Sequence, residues 1–295
     1  MLKMTASVSI VAANYNNGRY LKDFINSVSD SSVLPKELII IDDGSTDDSL
    51  KILESFSRLA YLKIIKFEKN LGFCEALNAG IEIASGDYIM RVDPDDIVLK
   101  GRIKSQVEYL ENHKEVDVVG SNVIYFHDDT GKVLIRSNFP IDHSSIKTKY
   151  LKGEHGVQHP STMIRSAVMK QYKYVQDNFK AEDYEIFARM IKDGLHFANI
   201  YEPLTRMRVH GQSVSVSIQY STIKLTYKIR DEIFGTSTTA LQSCFYYWYI
   251  LNYKKFLITK NVLMKPLYLV LSVLFYPSKF FKRLFEVNKH ESFKS

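Results

Sequence analysis

The first 126 residues alternate between two hydrophobic periods. Ser7–Ala13 is a short apolar stretch of strand length, and Tyr20, Leu21, Phe24, Ile25 and Val28 then recur at helical spacing. Leu38–Ile41 is a continuous apolar run, the pattern of a parallel strand covered on both faces. Leu50, Leu53 and Phe56 supply the next helix face, and Ser45 and Thr46, followed by Asp47 and Asp48, are expected to cap its start. Leu62–Phe67 predicts a third strand, and Phe73, Leu77, Ile81 and Ala84 a third helix. Tyr88–Val92, then Ile103, Val107 and Leu110, then Val116–Phe126 continue as strand, helix and strand.

Such alternation predicts an α/β fold with a mostly parallel, doubly wound sheet flanked by helices. Ligands of these sheets bind beyond the carboxyl ends of the strands. Four successive strands deliver polar residues to that edge. They are Asn14, Tyr15 and Asn16; Asp42 and Asp43; Glu68 and Asn70; and Asp93, Asp95 and Asp96. After residue 126 the pattern loosens. Asp128–Gly131 reads as a hairpin turn, Glu182–Lys192 as a helix, and the stretch to about Arg208 as a strand. From about Ile218 the chain is helical and increasingly aromatic. An α/β domain over 1–215 and a helical C-terminal extension over 216–295 are therefore expected.

Composition narrows the class. The 295 residues are 45% hydrophobic and 24% charged, which excludes disorder, collagen and coiled coil as whole-chain readings. Cys74 and Cys244 are too few and too distant for a disulfide scaffold or a zinc site, which fits a reducing compartment. The net charge of +6 is concentrated at one end. Residues 251–295 hold nine Lys and Arg against two Glu; the chain holds 39 basic and 33 acidic residues, so the first 250 hold 30 and 31. A neutral body with a basic, apolar tail points to an anionic membrane surface rather than to nucleic acid. The apolar stretch Ala6–Ala13 is interrupted by Ser7 and Ser9 and has no cleavage pattern, so no signal peptide is expected. The 12-residue run Pro266–Pro277 is too short to span a bilayer alone.

Neither a GxG fingerprint nor a Walker-type loop occurs, so a phosphorylated ligand needs another counter-charge. Asp93-Pro94-Asp95-Asp96 supplies one: three carboxylates within four residues repel one another unless a cation compensates them. Hard oxygen ligands suit Mg2+ or Mn2+. The bland alternative is a solvated turn. Asp43, at a strand exit, stands where a carboxylate can accept the N3–H of a uracil.

Six segments in order resemble family 2 glycosyltransferases of the GT-A fold, over roughly residues 5–215. They are Ser9–Asn16, Ile41–Asp47, Asn70-Leu71-Gly72, Asp93–Asp96, Glu182-Asp183-Tyr184 and Arg208–Ser213. The resemblance implies an inverting transferase acting on a nucleotide-sugar, preferably a UDP-sugar, with a glycan or lipid-linked acceptor of bacterial surface polysaccharide. It implies that Ala13, Tyr15, Asp43, Asn70 and Asp93 line the nucleotide. It makes Asp95 the ligand of Mn2+ or Mg2+, with His210 beside it, and Asp183 the catalytic base. His159-Pro160-Ser161 resembles an acceptor-side segment, with a structural histidine as the alternative. Arg91 is expected to reach the donor sugar or diphosphate, or to pair with a carboxylate. Tyr246–Tyr249 are packing residues or an interfacial aromatic belt.

Other classes compete. Asp93-x-Asp95 after an apolar strand resembles the signature of haloacid-dehalogenase phosphatases, but three strands precede it and no later Gly-Asp-x-x-x-Asp follows. A sugar-nucleotide pyrophosphorylase would need a Gly-rich N-terminal loop. A non-catalytic nucleotide-sugar binding module is disfavoured by Asp95 and Asp183. The basic tail is expected to hold a cytoplasmic enzyme on the inner face of the plasma membrane without crossing it.

Overall fold

The computed structural model describes residues 6–210, 219–259, 261 and 263–277. The chain divides into two compact units, Met1–Val216 and Ser217–Ser295.

The first unit opens with β1 (Val8–Asn14), α1 (Gly18–Ser29), β2 (Glu37–Asp42), α2 (Ser49–Ser55), β3 (Leu62–Lys66), α3 (Phe73–Ile83) and β4 (Tyr88–Arg91). These strands lie in the order β3-β2-β1-β4 and are all parallel. The same sheet continues through β5 (Ile97–Val98), α4 (Arg102–Asn112), β6 (Val118–His127), β7 (Val133–Arg136), α5 (His143–Leu151), β8 (Met163–Arg165), α6 (Ser166–Met169), α7 (Glu182–Lys192) and β9 (Phe197–Val209). Beyond β4 the strand order is β8-β6-β9-β5, with β7 on β6. Here β8 is antiparallel to both neighbours while β6 and β9 run parallel.

The burial explains the elements. Leu38–Ile41 are wholly buried because helices cover both faces of the sheet. Leu21, Phe24, Ile25 and Val28 turn one stripe of α1 into that core, beside Ile10, Ala12 and Ile40. The expected cap of the second helix differs in detail. Asp48 takes the cap position, while Asp47 accepts the Ser49 amide at 3.0 Å and the Gly18 amide at 2.9 Å. Ser45 and Thr46 instead bond back to Asn14 and Asn16, because the chain must first fold over the end of β1.

Arg102 is fully buried at the start of α4. Its five N–H groups donate to Gln106 Oε1, Pro160 O, Thr205 Oγ1, Arg91 O and Thr162 O at 2.9–3.2 Å. Burial pushes its guanidinium down to about 9, still cationic at neutral pH. It shares a helix face with Ile103, Gln106, Val107 and Leu110, so it clamps the exit of β4 onto the turn before β8 and onto β9. Arg102→Met leaves those acceptors buried and unpaired and is expected to cost about 3–5 kcal/mol. Urea unfolding of the variant beside wild type measures this.

The second unit holds α8 (Tyr220–Phe234), α9 (Ala240–Ile258) and α10 (Met264–Phe275). A capping box between Thr239 and Gln242 starts α9. Ile223, Tyr227, Tyr246 and Tyr249 form its small core, with Tyr253, Phe275 and Tyr276 packed against it.

Candidate functional site

The ends of β1, β2 and β4 meet the end of β9 and the start of α7. Asn14, the last residue of β1, donates to Asp42 Oδ2 at 2.8 Å and to Ser45 Oγ at 3.2 Å. Asn16 adopts a positive φ of 53° and accepts the Thr46 amide at 2.8 Å. These bonds lock the β1 exit onto the β2 exit. Ala13 is buried beside Ile41, and Tyr15 is left exposed between the two locks.

Asp43 is 2% exposed, and its carboxylate accepts the amides of Leu71 at 2.7 Å and Gly72 at 3.0 Å. It thus fastens the Asn70-Leu71-Gly72 turn beside the β2 exit, with Asn70 exposed. Gly44 has φ +70, and a Cβ there would lie 2.6 Å from the Lys69 carbonyl carbon, so glycine is required for this approach.

Each of Asp93, Asp95 and Asp96 offers a carboxylate oxygen within 4.8 Å of the others. Arg91 pairs with Asp93 at 2.6 Å. His210 Nε2 lies 3.0 Å from Asp95 Oδ2. The Arg208 amide donates to Asp96 Oδ1, and its Nε donates to the Asp95 carbonyl, both at 2.9 Å. Asp96 Oδ2 is buried with no hydrogen-bond partner. Burial first, and the neighbouring carboxylates second, raise Asp96 well above the usual carboxylate range. Burial also raises Asp93 against the opposing pull of Arg91. Hard oxygen donors, an orphaned oxygen and mutually strained carboxylates fit a divalent cation. The remainder of the expected histidine loop, Gly211, Gln212 and Ser213, lies outside the described residues.

The first turn of α7 carries Glu182, Asp183 and Glu185. Acidic groups suit a helix start, where the backbone N–H groups are free. Asp183 Oδ1 accepts the Tyr184 amide at 2.7 Å, and Oδ2 lies 3.6 Å from His155 Nδ1. The charge of Asp183 contributes to raising Asp93, so the acid pair of α7 lies within electrostatic reach of the β4 cluster. Burial, then Asp183, push Glu182 up to about 7. Glu182 Oε2 has no hydrogen-bond partner, and neither do Arg91 Nε and Nη1, although all three atoms are buried. These are the groups a polar ligand would satisfy. The structure therefore brings Asp93, Asp95, His210 and Asp183 toward one locus, with Arg91 paired to Asp93 as one reading of the sequence expected. His159 is buried and bonds Tyr174 Oη at 2.6 Å, and burial holds it neutral, well below the usual range.

Three groups were missed in the sequence: Arg102, Tyr174 and His155. Arg102 and Gln106 share the helical stripe of Ile103, Val107 and Leu110, a signal that could have marked them as buried. Nothing in the local sequence places Tyr174 or His155.

Glu182 also makes stability pH-dependent. Its ordinary value is 4.5 and its folded value about 7. Below pH 4.5 both states are neutral; between 4.5 and 7 only the unfolded chain ionises fully, so stability falls and stays lower above 7. Glu182→Gln should therefore gain melting temperature relative to wild type progressively from pH 5 to pH 7.5. A constant difference across that range would assign the shift elsewhere.

The model of Glycosyl transferase family 2 matches residues 9–173. A glycosyltransferase of Methanocaldococcus jannaschii is 31% identical over 233 residues, covering 75% of this chain and 79% of its own. The amylovoran biosynthesis glycosyltransferase AmsE of Erwinia amylovora is 29% identical over 219 residues, 74% of this chain and 81% of its own. An Escherichia coli UDP-Gal:alpha-D-GlcNAc-diphosphoundecaprenol beta-1,3-galactosyltransferase is 26% identical over 230 residues, 76% and 83%. Among solved structures, Staphylococcus aureus TarS 1–349 in complex with UDP-GlcNAc superposes with a TM-score of 0.64 over 91% of this chain and 80% of that one. At 19% identity this is a likeness of fold.

Proposed function

The chain belongs to glycosyl transferase family 2, and we propose that it moves a sugar, with inversion, from a UDP-sugar to a glycan or lipid-linked acceptor in surface-polysaccharide synthesis. That it is a nucleotide-sugar glycosyltransferase rests on the family and on its relatives. The observation that carries the site reading is the cluster of Asp93, Asp95 and Asp96 carboxylates at the β4 exit, with His210 on Asp95 and the charge of Asp183 felt at Asp93. The phosphatase and the silent binding module are not favoured: the family match runs from β1 through β8.

Each residue has a part in this reading. Tyr15 lies against the base, and Asp43, held rigid by two amides, reads its edge with its remaining lone pairs. Ala13 and Asn70 border the nucleotide, and Asp93 approaches the ribose. Asp95 and His210 hold Mn2+ or Mg2+, which when bound neutralises the departing diphosphate. Arg91 turns its unpaired N–H groups to the donor. Asp183 takes the acceptor hydroxyl proton as that oxygen attacks the anomeric carbon from the face opposite UDP. Catalytic transfer then needs only that the two substrates be held in line.

The test is UDP release from a panel of UDP-sugars, with and without acceptor glycans and divalent ions. Release that depends on donor, acceptor and ion together supports the reading. Release of inorganic phosphate, or binding without turnover, overturns it.

The same reading places the enzyme at the inner face of the plasma membrane. Among the described residues no helix is long and apolar enough to cross a membrane. Tyr246 and Tyr249 are packed inside the second unit, but Leu241, Phe245 and Trp248 of α9 stay exposed on one face. So do Leu267, Val270 and Leu274 of α10. Phe275 contacts both Phe245 and Trp248, at ring separations of 5.9 and 6.0 Å, and so joins the two stripes. Lys255 and Lys265 sit over rings of the opposite helix. Lys260, Lys279, Lys282 and Arg283 lie outside the described residues. Cations near an anionic surface contribute about 1 kcal/mol each, and the apolar stripe adds burial. The chain should co-sediment with phosphatidylglycerol vesicles, and Phe245→Ser with Leu274→Ser should reduce this at least about tenfold. Equal sedimentation, or a dimer that the double variant dissolves, would make the face a packing surface.

A further inference from the structure

Asp183 must lose the proton it takes in every turnover, and the structure supplies a route. His155 stands in the loop after α5, with Nδ1 3.6 Å from Asp183 Oδ2. The other carboxylate oxygen of Asp183 is occupied by the Tyr184 amide, so Oδ2 is the one that faces the imidazole. The His155 ring is set edge-on to Tyr184 at 5.8 Å and to Tyr150 at 6.4 Å. These two rings define its plane. Its side chain is nevertheless 43% exposed, whereas that of Asp183 is 27% exposed. His155 thus bridges the acid of α7 and bulk water.

We propose that His155 carries the proton onward from Asp183 to solvent, which rests on Asp183 being the base. The acceptor O–H bond breaks as its oxygen bonds the anomeric carbon, and the carbon–oxygen bond to UDP breaks with its electron pair leaving on the diphosphate. The proton lands on Asp183 Oδ2. It passes to Nδ1 of neutral His155, in the tautomer that carries hydrogen on Nε2, and the Nε2 proton leaves to water. Asp183 is a carboxylate again, and no other reactant is consumed. An imidazole nitrogen is an ordinary acceptor for the proton of a carboxylic acid.

The groups that face His155 are Asp183 and Tyr184 on α7, Tyr150 on α5 and His159 on the turn before β8. The Lys149–Glu154 ion pair, at 3.1 Å, adjoins the same loop. Asp183 is the one carboxylate among those facing groups. His155 is a positioning and relay residue, distinct from the base itself.

Turnover is followed as UDP release from UDP-GlcNAc, UDP-glucose or UDP-galactose, whichever the panel selects, over pH 5.5–8.5. His155→Ala should keep its UDP affinity while kcat falls about tenfold, less than loss of the base itself. Added imidazole should restore several-fold in His155→Ala, and nothing in wild type or in Asp183→Asn. His155→Gln, which keeps a polar side chain without a titrating base, should remain as slow as His155→Ala. Full activity in His155→Gln, no loss in His155→Ala, or a loss that imidazole does not repair overturns the relay. Normal turnover in Asp183→Asn overturns the base assignment instead, so the two failures are distinguishable.

Discussion

Asp183→Asn is expected to bind its UDP-sugar as wild type does and to turn it over about 10²–10⁴-fold more slowly, the contribution of a positioned general base. The substitution keeps the volume and the Oδ1 that accepts the Tyr184 amide, so α7 should keep its start. What is lost is the carboxylate oxygen that faces His155. The variant separates proton transfer from binding, because on the proposed reading the β1, β2 and β4 ends hold the donor and this oxygen does not. Calorimetry with UDP and a kcat measurement decide it together. Turnover within a few-fold of wild type would move the role to Glu182. That neighbour is half-prepared for it, since burial and Asp183 bring it to about 7.

Asp95→Ala is the second large effect. In wild type, UDP should bind more tightly with Mn2+ than without it, because an ion held by Asp95 and His210 would neutralise diphosphate charge. The variant should lose about 30–100-fold of that affinity in Mn2+, the worth of one or two charge-assisted contacts, and should bind equally with and without the ion. The reason lies in the surroundings. Asp93 is already paired with Arg91, and Asp96 spends one oxygen on the Arg208 amide. Asp93 would have to leave Arg91, and Asp96 has a single unpaired oxygen, Oδ2, to offer. His210 would also lose its 3.0 Å partner. If UDP binds wild type equally with and without Mn2+, or if Asp95→Ala keeps the ion effect, the acids form a turn rather than an ion site.

The local pattern carried much of the fold. Parallel strands buried on both faces must be apolar throughout, so Leu38–Ile41 announced β2 without reference to any partner. Helices that cover such a sheet need one apolar stripe, which Leu21, Phe24, Ile25 and Val28 display. The exits of those strands were equally legible, because only polar residues tolerate the sheet edge. Asp43, Asp93 and Asp95 stood out for that reason, whereas Asp183 stood out through the resemblance of Glu182-Asp183-Tyr184 to a family segment.

The later strands were harder to place. β5 is only Ile97–Val98, and β8 is three residues long and runs against both neighbours. Segments so short carry no period, and their pairing depends on contacts about 45 to 110 residues away along the chain. The tail shows the same division. Its charge and aromatic content are plain in the sequence, but which rings are buried is decided by how α9 meets α10. Tyr246 and Tyr249 enter the core while Phe245 and Trp248 stay out.

The α/β alternation, the acidic strand ends and the basic tail are legible along the chain, because each follows from local periodicity and side-chain chemistry. Which charges are buried, and what they face, is set by folding. Arg102 is a charged residue next to a glycine in the chain, yet five acceptors drawn from α4, the β4 exit, the Pro160–Thr162 turn and β9 enclose it. His155 is 28 residues from Asp183 in the chain and reaches it only because α5 and α7 bring Tyr150 and Tyr184 together. The state of Glu182 depends on the same packing. Desolvation and charge coupling act through space, and separation along the chain does not record them.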